Sequence, residues 1–361
     1  MNKKKNIISG GWEKYLLIFL LVPLFSGCAV PEKNSAESGR VKLVFTGDIM
    51  TGRKVEEICR TKNDWNWPFL KVRNYFKSCD FVFGNLEGAL TKNEDKTSGK
   101  DKKIWLKLPP ESVLGLEYAG FNALGIANNH ILDYGGKGLQ DTLKDLDKTG
   151  IQHTGAAMEP EKAFNPVIFT KNSCKFAIFA FNDIGYDKWG IERKNSLVAD
   201  CEDERASKLL RNAVQNGEIV IVNLHFGREY SKIQDERQEM IARKFIDAGA
   251  SLVIGHHSHQ IQPTERYKDG FIAYGLGNFL FDQDWNPEAM KGIILEMIVE
   301  DGKISGIKIL ETEISGEFQV FLNECPIQNP TSLFELPALP LWLRGTGRGA
   351  DTEYPTEEGK E

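Results

Sequence analysis

The sequence predicts an α/β domain built on two sheets rather than one doubly wound sheet, and three observations carry that prediction. Short runs of β-branched and aromatic residues alternate with stretches of helical spacing through the middle of the chain. Past residue 260 the alternation gives way to hairpins, with turn signals at Lys268-Asp-Gly270 and Asp301-Gly302. Every polar cluster of chemical interest falls directly after one of the apolar runs.

Taken in order, Val41 to Phe45, Phe81 to Phe83, Ala123 to Ile126, Phe176 to Phe181, Ile219 to Leu224 and Leu252 to Ile254 read as buried strands. Pro110 to Ala119, Lys137 to Lys148, Cys201 to Asn216 and Asp235 to Ala248 carry helical spacing. Gln262 to Tyr267 with Phe271 to Tyr274, and Gly292 to Val299 with Ile304 to Glu313, read as the hairpins. There is no internal repeat.

The ends carry a different message. Lys3, Lys4 and Lys5 precede an apolar run from Tyr15 to Phe25, too short for an ordinary membrane span of about 20 residues. Residues 1–27 are expected to be a signal peptide. Leu24-Phe-Ser-Gly-Cys28 resembles the lipobox of bacterial lipoproteins, which implies acylation of Cys28, export, and retention at the bacterial cell membrane or outer-membrane surface. Ordinary signal cleavage nearby is the alternative. Residues 28–40 read as a tether, 41–316 as the domain, and 317–361 as a C-terminal extension with a loosely structured tail.

Loss of residues 1–27 removes Lys3, Lys4, Lys5 and Lys14 against Glu13 and takes the formal charge from -6 to -9. An acidic surface argues against nucleic-acid binding, which needs basic patches to neutralise phosphates. Besides Cys28, the cysteines at 59, 79, 174, 201 and 325 show no CxxC spacing, and read as buried thiols or one incidental bridge.

Five clusters follow the strands: Gly47-Asp48-Ile-Met-Thr-Gly-Arg53, Gly84-Asn-Leu-Glu87, Asn128-Asn-His130 with Asp133, His225 with Glu229, and Gly255-His-His-Ser-His259. Loops beyond the carboxyl ends of strands are where open α/β sheets bind ligands. Carboxylates, amides and imidazoles are the donors two adjacent divalent ions require, and such ions activate water against a phosphoryl group. Glycines 47, 84 and 255 read as sharp turns that present the ligands. His257-x-His259 reads as an extended segment with both rings on one side, His256 facing away as a structural residue and Ser258 pointing opposite. Arg53 and Arg228, with Glu229 and Asn278, read as substrate contacts, because a guanidinium clamps phosphate or carboxylate. Each arginine can equally pair with a local carboxylate such as Glu229 or Glu57.

Single residues also have quieter explanations. Asp48 can cap the helix starting near Lys54, Asn129 and Asp133 can stabilise their loop, and His225 can be a hydrogen-bonded strand end. His153 reads as an ordinary loop histidine, and the tryptophans at 65, 67, 105, 189 and 285 as loop aromatics that pack the core or line a groove. There is no Gly-x-Ser-x-Gly elbow, no Walker-type loop and no cysteine beside a histidine, so serine or cysteine nucleophilic catalysis has no support.

Together, Gly47-Asp48-Ile-Met50, Asn85-Leu-Glu87, Asn128-Asn-His130 through Asp133, His225 through Tyr230, His257-Ser-His259 with Gln262-Pro263, and Gly275-Leu-Gly-Asn-Phe279 resemble the CapA family of capsule and poly-gamma-glutamate synthesis proteins, related to calcineurin-like metallophosphoesterases. The resemblance runs in order over residues 41 to 316. It implies a four-layer α/β/β/α sandwich of two mixed sheets and one or two divalent ions (Mn, Fe, Zn or Mg). Asp48 and His259 are then ligands of one metal, Asn129, His225 and His257 of the second, with Glu87 bridging. His130, with Asp133, is the catalytic pair. Met50 stands where the related enzymes supply a histidine, and a thioether is a poor ligand for hard ions. Two functions follow: a surface-anchored metal-dependent hydrolase of an anionic envelope polymer or phosphorylated small substrate, or a non-catalytic assembly or export factor that binds such a polymer in a membrane synthase complex.

Overall fold

The computed structural model describes residues 39–97, 102–185 and 196–323. The leader, Cys28, Trp189, Cys325 and the tail beyond residue 323 lie outside the described residues.

The strands are β1 (Val41–Ile49), β2 (Phe81–Leu86), β3 (Ala89–Leu90), β4 (Lys107–Leu108), β5 (Ala123–Gly125), β6 (Gln152–Thr154), β7 (Val167–Lys171) and β8 (Cys174–Asn182). They continue as β9 (Glu218–His225), β10 (Leu252–His256), β11 (Thr264–Tyr267), β12 (Gly270–Ala273), β13 (Asn278–Leu280), β14 (Lys291–Glu300), β15 (Lys303–Ile314) and β16 (Val320–Leu322). The helices are α1 (Arg53–Lys62), α2 (Arg73–Lys77), α3 (Val113–Ala119), α4 (Gly135–Thr149), α5 (Glu204–Gln215) and α6 (Glu236–Asp247).

Two large mixed sheets result, beside a two-stranded pair of β3 with β4. The first runs β16-β15-β14-β1-β2-β5-β6, with β13 paired to the end of β1; the second runs β11-β12-β10-β9-β8-β7. The central strands β1, β2 and β5 are parallel, as are β8, β9, β10 and β12. The hairpin readings hold: β11 with β12 and β14 with β15 are antiparallel. β16 lies past residue 316, where the sequence reading ends the domain. Its three residues are too short to show a period.

Strand alternation sorts the core into three layers. Phe45, Phe83, Ala123 and Leu295 from the first sheet meet Phe176, Ile178, Ile221 and Ile254 from the second in one buried cluster between the sheets. Their chain neighbours point outward. Val44, Val82 and Leu124 pack against Val55 of α1, Phe76 of α2, Leu116 of α3 and Leu139 of α4. Ala177, Val222 and Val253 pack against Leu210 of α5 and Phe245 of α6. The architecture is therefore helix, sheet, sheet, helix, as expected. A strand covered on both faces needs apolar residues at both parities, which is why these strands read as continuous apolar runs.

α6 shows how locally the boundaries are set. Asp235 accepts from the Gln238 amide at 2.8 Å while Gln238 Oε1 accepts from the Asp235 amide at 3.1 Å, a reciprocal capping box. Cys59, Cys79, Cys174 and Cys201 are free thiols.

Candidate metal centre

The carboxyl ends of the parallel strands from both sheets converge, and the polar clusters converge with them. Asp48, Glu87, Asn129, His130, Asp133, His225, His257, His259 and Asn278 are all buried. Two donor groups form: Asp48, Glu87 and His259, and Glu87, His225 and His257, each with ligand atoms within 4.8 Å of one another. Glu87 belongs to both. Its Oε1 lies 3.9 Å from His259 Nε2, 4.0 Å from His225 Nε2 and 3.9 Å from His130 Nε2.

Asp48 sits in β1 and is held from several sides. Asn85 Nδ2 donates to its Oδ1 at 2.8 Å, and the His257 amide donates to its Oδ2 at 3.1 Å. It caps no helix; Gly52 is the N-cap of α1. Burial pushes the Asp48 carboxyl up, but nearby His256, then His259 and the Asn85 hydrogen bond, outweigh it and hold the pKa below the usual value.

The neighbours of the histidines orient their rings. Asn278 Nδ2 donates to Gln283 Oε1 and the Ala289 carbonyl, so its Oδ1 is the atom that faces His259 Nδ1 at 3.0 Å. His259 therefore carries its proton on Nδ1 and presents a lone pair from Nε2. This placement makes Asn278 a support of His259; its amide is taken up by protein groups. Asn129 Oδ1 lies 2.7 Å from His225 Nε2. Burial first, then the neighbouring imidazoles, lowers His225 well below the ordinary histidine pKa, and the same causes bring His257 to about 3. Both stay neutral, as ligands must.

His130 Nδ1 donates to Asp133 Oδ2 at 2.8 Å. Asp133 also accepts from the Leu106 amide at 2.6 Å and pairs with Lys102 at 2.5 Å, and the Lys102 side chain is only 5% exposed. Lys102 escaped the sequence reading because Lys100-Asp-Lys-Lys103 looks like a solvated charge run.

Several details differ from expectation. Met50 does not face the donors: it is buried in the outer core with α1, and its sulfur accepts from the Gly52 amide at 3.1 Å. Both donor groups stand without it. The His257-x-His259 segment is not extended, since both residues have positive φ, 83° and 52°, and backbone turning brings their rings within 6.2 Å. His256 does not face away. It ends β10 with the parity of Leu252 and Ile254, so it points between the sheets, and its Nδ1 lies 3.0 Å from Asp48 Oδ1. The parity of those two apolar residues was the signal to use. Gly47, Gly84 and Gly255 do not have positive φ; what needs glycine is close approach, for a Cβ would lie 2.0 Å from Gly277 O at Gly47 and 1.9 Å from Tyr274 O at Gly255.

Arg53 pairs with Asp282, its Nε 3.0 Å from Oδ1, and its guanidinium lies over Phe281. Arg228 is exposed, and Glu229 beside it is half-buried.

The donor set fits divalent metal: oxygen and imidazole donors in two groups with a shared carboxylate. His257 Nδ1 and Asn129 Nδ2 are buried with no hydrogen-bond partner among the described residues, which is costly unless something else binds nearby.

Comparison with known proteins agrees with the motif order. Residues 42–283 match the family model for bacterial capsule synthesis protein PGA_cap. The chain is 35% identical over 280 residues to capsule biosynthesis protein CapA of Bacillus anthracis, covering 76% of this chain and 68% of that one. It is likewise 35% identical over 259 residues to PGA biosynthesis protein CapA of Bacillus subtilis (strain 168), covering 72% and 68%. Among solved structures it is similar to a 5'-nucleotidase precursor from Thermus thermophilus, with a TM-score of 0.45 at 13% identity over 78% of this chain and 54% of the other. The ordered motifs, the two-sheet fold that gathers them and the matched residues place this chain in the bacterial capsule synthesis PGA_cap family.

Proposed function

We propose that the chain is a metal-dependent hydrolase of capsule or poly-gamma-glutamate biosynthesis, acting on an anionic substrate at the cell envelope. The observation that carries this reading is Glu87, a buried carboxylate common to two donor groups. In this reading, Asp48, Glu87 and His259 would hold one divalent ion, and Glu87, His225, His257 and Asn129 would hold the second. Such ions polarise a phosphoryl or carboxyl oxygen and lower the pKa of a nearby water. The chain's own contribution is acid–base and positional: His130, steadied through Nδ1 by Asp133, delivers a proton from Nε2 to the leaving oxygen. Lipid attachment at Cys28 keeps the domain beside the polymer-synthesising machinery, as the leader sequence supports.

One observation favours a second reading, a non-catalytic factor that binds an anionic polymer: the exposed Arg228 side chain has no ion pair among the described residues. Elemental analysis of the purified protein and of His257→Ala, followed by hydrolysis of a generic phosphodiester with added manganese, separates the two. Joint loss of bound metal and turnover in the variant is expected; an unmodified protein that binds metal and polymer but turns over nothing selects the binding role.

A further inference from the structure

Four residues other than glycine hold positive φ around the site: Arg53 (51°) at the start of α1, and Tyr230 (60°), His257 (83°) and His259 (52°) in loops. This conformation strains a residue with a Cβ, and it persists where surrounding structure over-determines it, often at ligand clamps. For His257 and His259 the outcome is two rings in the donor cluster. For Arg53 it is the pairing with Asp282.

Tyr230 has no such role in the site described so far, yet it is held at both ends. Its amide donates to the Ser258 carbonyl at 2.7 Å, and its hydroxyl accepts from Gln283 Nε2 at 3.0 Å. Gln283 is also the residue that fixes Asn278, so one amide positions both His259 and the tyrosine beside it. Held this way, the Tyr230 ring lies 5.8 Å from the His259 ring and meets the Trp285 indole edge-on at 5.2 Å. Both Tyr230 and Trp285 are half-buried, whereas the donors behind them are buried. Arg228, two residues before Tyr230, is exposed.

We propose that Tyr230 and Trp285 form an apolar subsite at the lip of the metal centre. It takes the amide-and-methylene backbone of a polyanionic chain whose charged group reaches the donors, and Arg228 meets a further carboxylate along that chain. The inference rests on the anionic-substrate reading and deepens it. Aromatic faces bind flat amides and C–H surfaces well, and they offer nothing to a bare phosphate. The wall therefore separates a polymer from a free anion of the same charge.

The test uses the full chain loaded with manganese, with an oligo-γ-glutamate and inorganic phosphate as separate probes in equilibrium titrations. Trp285→Ala is expected to weaken oligomer binding about tenfold, roughly 1.4 kcal/mol, and to leave phosphate binding within about twofold. Trp285→Phe, which keeps a ring, is expected to recover most of the loss. Arg228→Gln is expected to flatten the salt dependence of oligomer binding alone. Unchanged oligomer affinity in Trp285→Ala overturns the subsite, as does equal loss for both probes. Phosphate binding with no oligomer binding by the unmodified protein also overturns it while leaving the anionic site intact; failure of both probes sinks the anionic reading itself.

Discussion

His256 Nδ1 lies 3.0 Å from Asp48 Oδ1, on the side of the carboxylate where Asn85 also donates, and the other oxygen takes the His257 amide. His256 is in neither donor group, so it acts on the site by fixing the orientation of Asp48. Partners behind a metal ligand typically contribute 10- to 100-fold to affinity. Replacement by leucine, His256→Leu, is expected to weaken manganese binding by about that factor with little change in stoichiometry, measured by calorimetric titration. Unchanged affinity would show that Asp48 needs no such brace.

Glu87 supplies an atom to both donor groups, whereas His225 and His259 each supply one to a single group. Glu87→Ala is therefore expected to empty both positions, and His259→Ala to spare the group of Glu87, His225 and His257. Mass-spectrometric metal counting on the purified variants, with circular dichroism to confirm folding, checks the contrast.

The metal-free protein is expected to lose stability in acid. His257 falls from an ordinary 6.5 to about 3 in the folded state, and His225 shifts the same way. Between those limits the unfolded chain binds protons that the folded chain refuses. Stability is thus fully present above about pH 6.5 and declines as pH falls toward 3, by an amount on the order of a few kcal/mol for His257, with His225 contributing in the same direction. Calorimetric melting of chelator-treated protein at descending pH checks this, and His257→Gln is expected to shallow the slope.

Gly255→Ala places a Cβ 1.9 Å from Tyr274 O, one step past the last pair of β10 with β12, whereas Gly306→Ala meets nothing within 4 Å. The first is expected to cost at least about 1–3 kcal/mol, the usual range for overpacking. The second is expected to stay within about 0.5 kcal/mol, as for surface substitutions generally. Urea denaturation of the pair tests whether close approach, rather than turning, is what Gly255 provides.

Lys102 is a buried cation 2.5 Å from Asp133 and donates to the Asn129 carbonyl at 2.8 Å. Lys102→Met leaves a buried carboxylate short of its partner, which typically destabilises by about 3–5 kcal/mol. A drop in melting temperature is expected, larger than for Lys232→Met, whose ion pair with Glu288 is exposed.

How far the site was legible depends on which physical rule governed each residue. Strands covered on both faces announce themselves as apolar runs, so β1, β8, β9 and β10 could be read, together with the donors at their ends. Parity with Leu252 and Ile254 along β10 places His256 between the sheets as well. The turning of His257 and His259 into positive φ has no signature in residue type, because neither is glycine. β13 and β16, at three residues each, are too short for any period. The Arg53–Asp282 pair joins positions 229 apart, and no local pattern links them.

The strand that bears Asp48 is the first made of the described strands and among the last completed. β1 lies between β2 and β14 and takes β13 along its end, where Asp48 registers against Asn278. A nascent chain that has emerged only as far as His259 already carries the sequence of every donor, but one edge of β1 still lacks its ladder, and the brace on His259 does not yet exist. The centre therefore matures only after the C-terminal hairpin has folded back onto the N-terminal strand, so metal uptake should follow synthesis rather than accompany it.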